Sequence, residues 1–467
     1  MNPIRMEMIL KTFKTEFVGR GNEEFFNIST DSRVISDRGL FFALRGENFD
    51  GHNFVNQAID NGNIGIVIRK DMLGEVKEKL GKRFQEITIF AVNDTLRSLG
   101  DLASTYIKSK KARKIAITGS CGKTTTKELL ASMLSMSYKT VKTEGNLNNL
   151  IGMPLTAFKI ETDTDFAILE MGMNAFGEIK RLAEIACPDV SVITNVKPAH
   201  LEGVGSVEGV LHAKWELFEN SGTETICIVN LDDPLIADAA GSLKKRKITC
   251  SAKSVADVML NSEPLVKEDH TDVKLKIGRE VLSIRLPLVG VHNVENLLIA
   301  SAAAFACGVP IEEIKEGAEA VNRIKGRMNV IKLNGISVID DTYNANPASV
   351  ESALKFLSLY ESNQRIAVLA DMLELGIESY SLHKKIGKIV AELKNINALV
   401  LLGREVSAIK EGALLSGYPE DKIFMVVSHT DAVSVVRKLV RGNTVILIKG
   451  SHSMHMEKVV EELRVIL

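Results

Sequence analysis

The segment ITGSCGKTTTK (117–127) carries the residue types of a phosphate site: glycines, a lysine and a run of threonines. Backbone N–H groups at the start of a helix can cradle phosphate oxygens, and the helix dipole adds attraction. In such a loop Lys123 reaches the terminal phosphates and Thr124 offers its hydroxyl to Mg2+. Only Ser120 and Cys121 separate Gly119 from Gly122, whereas the usual P-loop places four residues between its glycines. The short gap leaves switch, motor and enzyme open. A guanine-reading switch would also carry Asn-Lys-x-Asp, and the chain contains no Asn-Lys dipeptide.

Three further residues could work beside this loop. FAILEMG is apolar on both faces, as a central strand is, yet places Glu170 near its carboxyl end, where a carboxylate can bind Mg2+ beside a phosphate. VSVITNV runs into KPAHLEG and brings His200 to the same sheet edge; a single histidine after a strand is otherwise an ordinary loop residue. In SVEGVLHAKWELFEN, the apolar residues Val207, Val210, Leu211, Leu217 and Phe218 recur at helical spacing with Lys214 in their midst. Lys214 either snorkels to water or is buried for chemistry, and burial would lower its pKa enough for it to act as a base or accept CO2.

The elements needed to position these residues follow from pattern. Short apolar runs such as GLFFAL and NIGIVI make residues 1–93 a small α/β unit. A helix, TLRSLGDLASTYIKSK, leads to KKARK, read as a solvated connector. Across 94–325 the strands IAIT, FAILEMG, VSVITNV, ICIVN and KITCSA alternate with helices, predicting a mostly parallel sheet, followed by a strand-rich insert near 258–289 and the helix HNVENLLIASAAAFACG. Residues 326–467 begin with a hairpin signalled by Asn334-Gly335 and continue as a second doubly wound unit.

Composition narrows the partners. Of 467 residues, 58 are Lys or Arg and 59 Asp or Glu, so no overall field favours nucleic acid or an anionic membrane. The 5 scattered cysteines lack a C-x-x-C pair and fit a reducing cytoplasm. No apolar run reaches the length of a membrane span, and the first residues lack a signal core. The expectation is a cytoplasmic, monomeric protein.

The ordered set ITGSCGKTTTKELL, GNLNNLIGMPL, LEMGMNAFGEI, AHLEGVGSVEGVLHAKWELF, GVHNVENLLIA, GRMNVI, DDTYNANP, DMLELG and KGSHSMHMEKVV resembles the motif set of the Mur ligases. STDSRVISDRGLFFALRGENFDGHNF resembles their uridine-nucleotide-binding domain, so the resemblance spans essentially the whole chain. It implies an α/β protein of three domains: a small uridine-nucleotide-binding domain, a central P-loop ATPase-like domain and a C-terminal Rossmann-like domain. It implies ATP-driven amide-bond formation between UDP-N-acetylmuramoyl-tripeptide and D-alanyl-D-alanine, with the dipeptide held by the last domain.

By this resemblance the short loop is the family's phosphate loop, with Gly119, Ser120, Cys121, Gly122, Lys123, Thr124 and Thr125 around the phosphates. Asn296, Arg327, Asp341 and Asn344 face the nucleotide. Thr124 and Glu170 serve one Mg2+, and His200 with a carbamylated Lys214 serve a second. Ser32 and Arg33 hold the uridine substrate, and Asn149 lies near its muramoyl-peptide part. Cys121, Trp215, Ala370 and His452 depart from the family pattern, and the His452 ring cannot reproduce an arginine fork. Two other readings stand beside this one: a related amide ligase extending folate with glutamate, and a P-loop regulator that binds nucleotide without catalysis.

Overall fold

The computed structural model describes residues 1–22 and 24–467. Among the described residues, four sheets form. The small ribbon pairs Ile4–Arg5 with Glu24–Phe25; the other three sheets each organise one part of the chain.

The N-terminal sheet has the order Phe17–Gly19, Thr88–Val92, Asn63–Arg69, Gly39–Phe42, Asn27–Ser29, parallel except for the first pair. Gly39–Phe42 and Thr88–Val92 are buried along their whole length, as strands covered on both faces must be. The helix Thr95–Lys108 follows, its start fixed by the Asp94 carboxylate accepting from Arg97 N. Its buried stripe of Leu99, Leu102, Ala103, Tyr106 and Ile107 belongs to a core that runs without interruption from Ile4, Phe25 and Phe90 to Met153, Leu169 and Leu182. The Tyr106 hydroxyl donates to the Ile160 carbonyl at 2.8 Å.

KKARK is not a solvated connector throughout. Ala112 is fully buried, and Arg113 and Lys114 open the strand Arg113–Thr118. Arg113 donates to the Cys307 carbonyl at 2.9 Å, and Lys110 lies 4.4 Å from the centre of the Tyr106 ring. The charges are real, but their stems cover a packed joint.

The central sheet is parallel from Thr140–Lys142 through Phe166–Glu170, Arg113–Thr118, Val190–Ile193, Ile226–Asn230, Lys247–Ser251 and Val258–Leu260. The expected insert adds antiparallel strands Leu265–Val266, Thr271–Ile277 and Glu280–Leu286 at the far edge. After Arg113–Thr118 the chain builds one side of the sheet and then returns to Val190–Ile193 on the other. That reversal opens a crevice at the carboxyl ends of the two strands, where ligands bind in such sheets. The helix Val291–Ala306 and its neighbour Ile311–Glu319 pack over Lys123–Leu134.

The last sheet has the order Asn329–Leu333, Ile336–Asp340, Thr444–Lys449, Gln364–Ala370, Ala398–Leu402, Ile423–Val426. Only its first pair is antiparallel, and Asn334 and Gly335 both take positive φ in the tight turn that joins it. Separate apolar cores line the two faces. Among the described residues, no helix is long and apolar enough to cross a membrane.

Candidate active site

The strand Arg113–Thr118 delivers residues 119–122 to the crevice, and the helix Lys123–Leu134 begins immediately after them. Glycine is required at both loop positions. Gly119 has φ 150°, and a Cβ there would lie 1.8 Å from Thr194 Oγ1; Gly122 has φ 80°, and a Cβ would lie 2.1 Å from Asn296 Oδ1. The neighbouring strand's exit braces the loop. Ser120 N donates to the Asn195 carbonyl, Cys121 N to Asn195 Oδ1, and Thr194 Oγ1 to the Cys121 carbonyl. Lys123 Nζ folds back onto the Gly119 carbonyl at 2.6 Å. Desolvation holds its pKa below the usual lysine value, partly opposed by the Glu170 carboxylate.

Glu170 ends its strand 1% exposed. Its Oε1 accepts from Asn148 Nδ2 at 3.0 Å and Thr124 Oγ1 at 3.3 Å, while Oε2 accepts no hydrogen bond and lies 3.4 Å from Lys127 Nζ. A buried carboxylate oxygen left in this state, beside a threonine hydroxyl and a phosphate loop, fits a hard divalent cation. Among the described residues, no group of three or more His, Cys, Asp and Glu forms a metal cage. The Glu170 carboxylate and Thr124 hydroxyl are hard oxygen donors of the kind that suit Mg2+, which takes one or two carboxylates and completes its shell with water and substrate phosphates.

Lys214 is 1% exposed, so the snorkelling reading is wrong. The buried face of Val207–Asn220 is made by Gly209, Val210, Ala213, Lys214, Leu217 and Phe218, with Val207 and Leu211 only half-buried. Desolvation depresses the Lys214 pKa strongly, and the positive charge of Lys123 adds to the effect. A neutral amine in such a place is the form able to take up CO2.

His200 reaches the same cleft, with Nδ1 2.7 Å from Glu374 Oε2 of the last domain. The Glu374 carboxyl is held below its usual pKa chiefly by this contact. The last domain contributes more. Arg327 Nη2 donates to Thr124 Oγ1 at 3.0 Å and its guanidinium lies 4.1 Å from the Tyr343 ring centre. Asp341 pairs with Lys449 at 2.6 Å, Lys449 also donates to the Asn344 carbonyl, and Asn344 Oδ1 accepts from His452 N. Asn296 Nδ2 donates to Asn293 Oδ1, holding the amide against Gly122. Cys121 Sγ lies 3.0 Å from Asn346 Nδ2, a contact between the phosphate loop and the last domain.

Most of these residues line one cleft of about 700 Å³, shared by the central and last domains; Gly119 and Lys214 are not part of its lining. It brings together Ser120 through Thr125, Asn149, Glu170, His200, Asn296, Arg327, Asp341 and Asn344. Asn149 also shapes the local turn, its Oδ1 accepting from Ile151 N and Gly152 N. Ser32 and Arg33 lie outside the cleft: Ser32 Oγ donates to Gln57 Oε1, and exposed Arg33 pairs with Asp31.

The sequence reading missed Asn148, Lys127, Glu374 and Tyr343. Asn148, Glu374 and Tyr343 fall inside motifs that were recognised as blocks without individual roles. Lys127 gave no signal, since a lysine one turn into a helix ordinarily faces water.

A phosphate loop at a topological switch point, closed from above by a second doubly wound domain, defines a three-domain P-loop nucleotide-binding protein. Models of the Mur ligase family match three successive segments: "Mur ligase family, catalytic domain" at 24–106, "Mur ligase middle domain" at 117–304 and "Mur ligase, glutamate ligase domain" at 326–452. The chain belongs to the Mur ligase family and is an enzyme of the ligase class. It is 32% identical over 440 residues to the UDP-N-acetylmuramoyl-tripeptide--D-alanyl-D-alanine ligase of Bacillus subtilis, covering 93% of this chain and 92% of that one. A crystal structure of MurF from Acinetobacter baumannii is 31% identical, with a TM-score of 0.90 and 99% of each chain covered. A MurF ligase from Thermotoga maritima in complex with ADP is 25% identical, with a TM-score of 0.81, covering 94% of this chain and 97% of that one.

Proposed function

We propose that this chain joins D-alanyl-D-alanine to the terminal carboxylate of UDP-N-acetylmuramoyl-tripeptide at the expense of ATP, a step in building peptidoglycan precursors. The observation that carries the reading is the shared cleft, which sets a phosphate loop with Lys123 and the buried Glu170 carboxylate against a second domain. That support is joined by relatives at this identity and coverage bearing that name. We take 1–93 as the unit that binds the uridine substrate through Ser32 and Arg33, 94–325 as the ATP unit and 326–467 as the dipeptide unit. The protein works as a monomer in the cytoplasm, where ATP is made.

A carboxylate is a poor acylating agent. The tripeptide carboxylate attacks the γ-phosphorus, ADP leaves, and an acyl phosphate forms. The free amine of the dipeptide then attacks the acyl carbon, its nitrogen gives up one proton, and phosphate leaves. Lys123 and the loop N–H groups are placed to meet the negative charge that spreads over the transferring phosphoryl group. Asn296, Arg327, Asp341 and Asn344 hold the nucleotide, and Asn149 orients the muramoyl-peptide. Thr124 and Glu170 would hold one Mg2+, and His200 with a carbamate on Lys214 a second; these cations would neutralise phosphate and carboxylate charge. Uptake of CO2 by the neutral Lys214 amine forms an N–C bond, releases one proton and replaces an uncharged amine with an anionic carbamate whose oxygens could meet a cation.

A coupled phosphate-release assay tests the reaction. Phosphate release that requires both D-alanyl-D-alanine and a muramoyl-tripeptide, ending in lysine or in diaminopimelate, is expected. Activity with folate and glutamate alone, or ATP binding with no turnover, would replace the reading. Lys214→Ala should lower turnover at least about 100-fold, as loss of a charge-stabilising group at a reacting centre does, and bicarbonate should raise activity in a CO2-depleted wild type but not in the mutant.

A further inference from the structure

Two backbone outliers meet across the border between the central and last domains. His200, with φ 54°, opens the short helix Leu201–Val204, and Glu374, with φ 64°, ends the loop that follows Gln364–Ala370. Neither is glycine, and left-handed backbone at such residues persists only where the surroundings hold it. Both sit in contact with the opposite domain. The imidazole and carboxylate are 2.7 Å apart, Glu202 N donates to the Glu374 carbonyl at 3.3 Å, and a Cβ on Gly376 would lie 3.3 Å from Glu202 Cα.

The loop beneath Glu374 is firmly built. Met372 N donates to His383 Nε2, Leu373 N to Ser451 Oγ, and the Asp371 carboxylate accepts from Arg404 N and Val406 N. Glu374 is therefore carried by the body of the last domain and moves with it.

We propose that Glu374 is a positioning residue: seated against His200 and the Glu202 backbone, it couples docking of the last domain to orientation of the His200 ring at the phosphate cleft. Glu374 Oε2 meets Nδ1 as a close contact without an aligned hydrogen bond, and its bulk beside the ring limits the directions in which Nε2 can point. That limit exists only when the dipeptide-carrying domain is seated, so the cleft is fully assembled only with that domain in place. The inference rests on the ligase reading given above.

Glu374→Gly separates the carboxylate from the backbone, because glycine relieves the positive φ while deleting the contact. Its melting temperature should equal or exceed that of the wild type. Small-angle scattering with a nonhydrolysable ATP analogue and the muramoyl-tripeptide should show its ratio of compact to open molecules reduced about 10- to 100-fold, the range for loss of a charge-assisted contact. Turnover should fall by a similar factor with KM for ATP changed less than about twofold. Glu374→Gln keeps an acceptor oxygen and should recover part of both losses. His200→Asn, whose side chain tolerates left-handed backbone, should open the molecule about as far, and the double variant Glu374→Gly/His200→Asn no further than either. A Glu374→Gly enzyme that closes and turns over like the wild type, or single effects that add in the double variant, would overturn the proposal. If the wild type made no amide with either tripeptide, the ligase reading would fall while the scattering series still decided the contact.

Discussion

The central domain has two borders that differ in chemistry. Toward the N-terminal sheet it shares one continuous apolar core, threaded by Leu99, Leu102, Tyr106 and Ile107. Toward the last domain, polar contacts join Arg327 with Thr124, His200 and Glu202 with Glu374, and Cys121 with Asn346 around an open cleft, and apolar packing is confined to a few side chains such as Val289 and Leu382. Apolar burial is proportional to area and indifferent to direction, so parting the first border exposes its whole face to water. Polar pairs exchange for water, so parting each costs only about 0.5–3 kcal/mol. The first border is therefore expected to part at greater cost than the second.

Substitutions at the two borders should therefore fail in different measurements. The largest effect is expected from Tyr106→Ala, which removes a buried ring and its bond to Ile160; it should cost about 3–5 kcal/mol in urea unfolding of the whole protein. A loss under about 1 kcal/mol would break the comparison. Lys123→Ala should lower turnover about 100- to 1,000-fold, the cost of one preorganised donor to developing charge, with its melting temperature within a few degrees of wild type. A large fall in melting temperature would show that the cleft, too, is a structural joint. Smallest is Cys121→Ser, which keeps the loop's backbone donors; activity within about twofold of wild type is expected. A larger loss, restored in a Cys121→Ser/Asn346→Ala pair, would raise the Sγ to Asn346 contact from a bystander to a part of closure.

The same contrast explains what the sequence disclosed. Residues that announce themselves locally were legible: a phosphate loop between strand and helix, Glu170 at the end of a strand apolar on both faces, and Asn334-Gly335 between apolar runs. The open choice for Lys214 could not be settled by periodicity, because a lysine amid apolar residues has the same spacing whether it escapes to water or is enclosed. Lys127 is buried with its amine on the Thr143 carbonyl and near Glu170, both from the sheet beneath its helix, and pattern within that helix does not record what packs against it. Glu374 and His200 lie 174 positions apart, which single-sequence patterning cannot span. KKARK was misread for the converse reason, since charge density concealed the strand that begins inside it.

The shared core also sets a schedule for the chain during synthesis. Its walls include Ile4 and Phe25 at one end and Ile236 and Ala240 at the other. At about 5–20 residues per second, a ribosome takes roughly ten to fifty seconds between the first of these residues and the last. Through that interval the inner face of the N-terminal sheet waits for its covering and is open to chaperones, whereas the last domain, with apolar cores of its own, can close soon after it emerges.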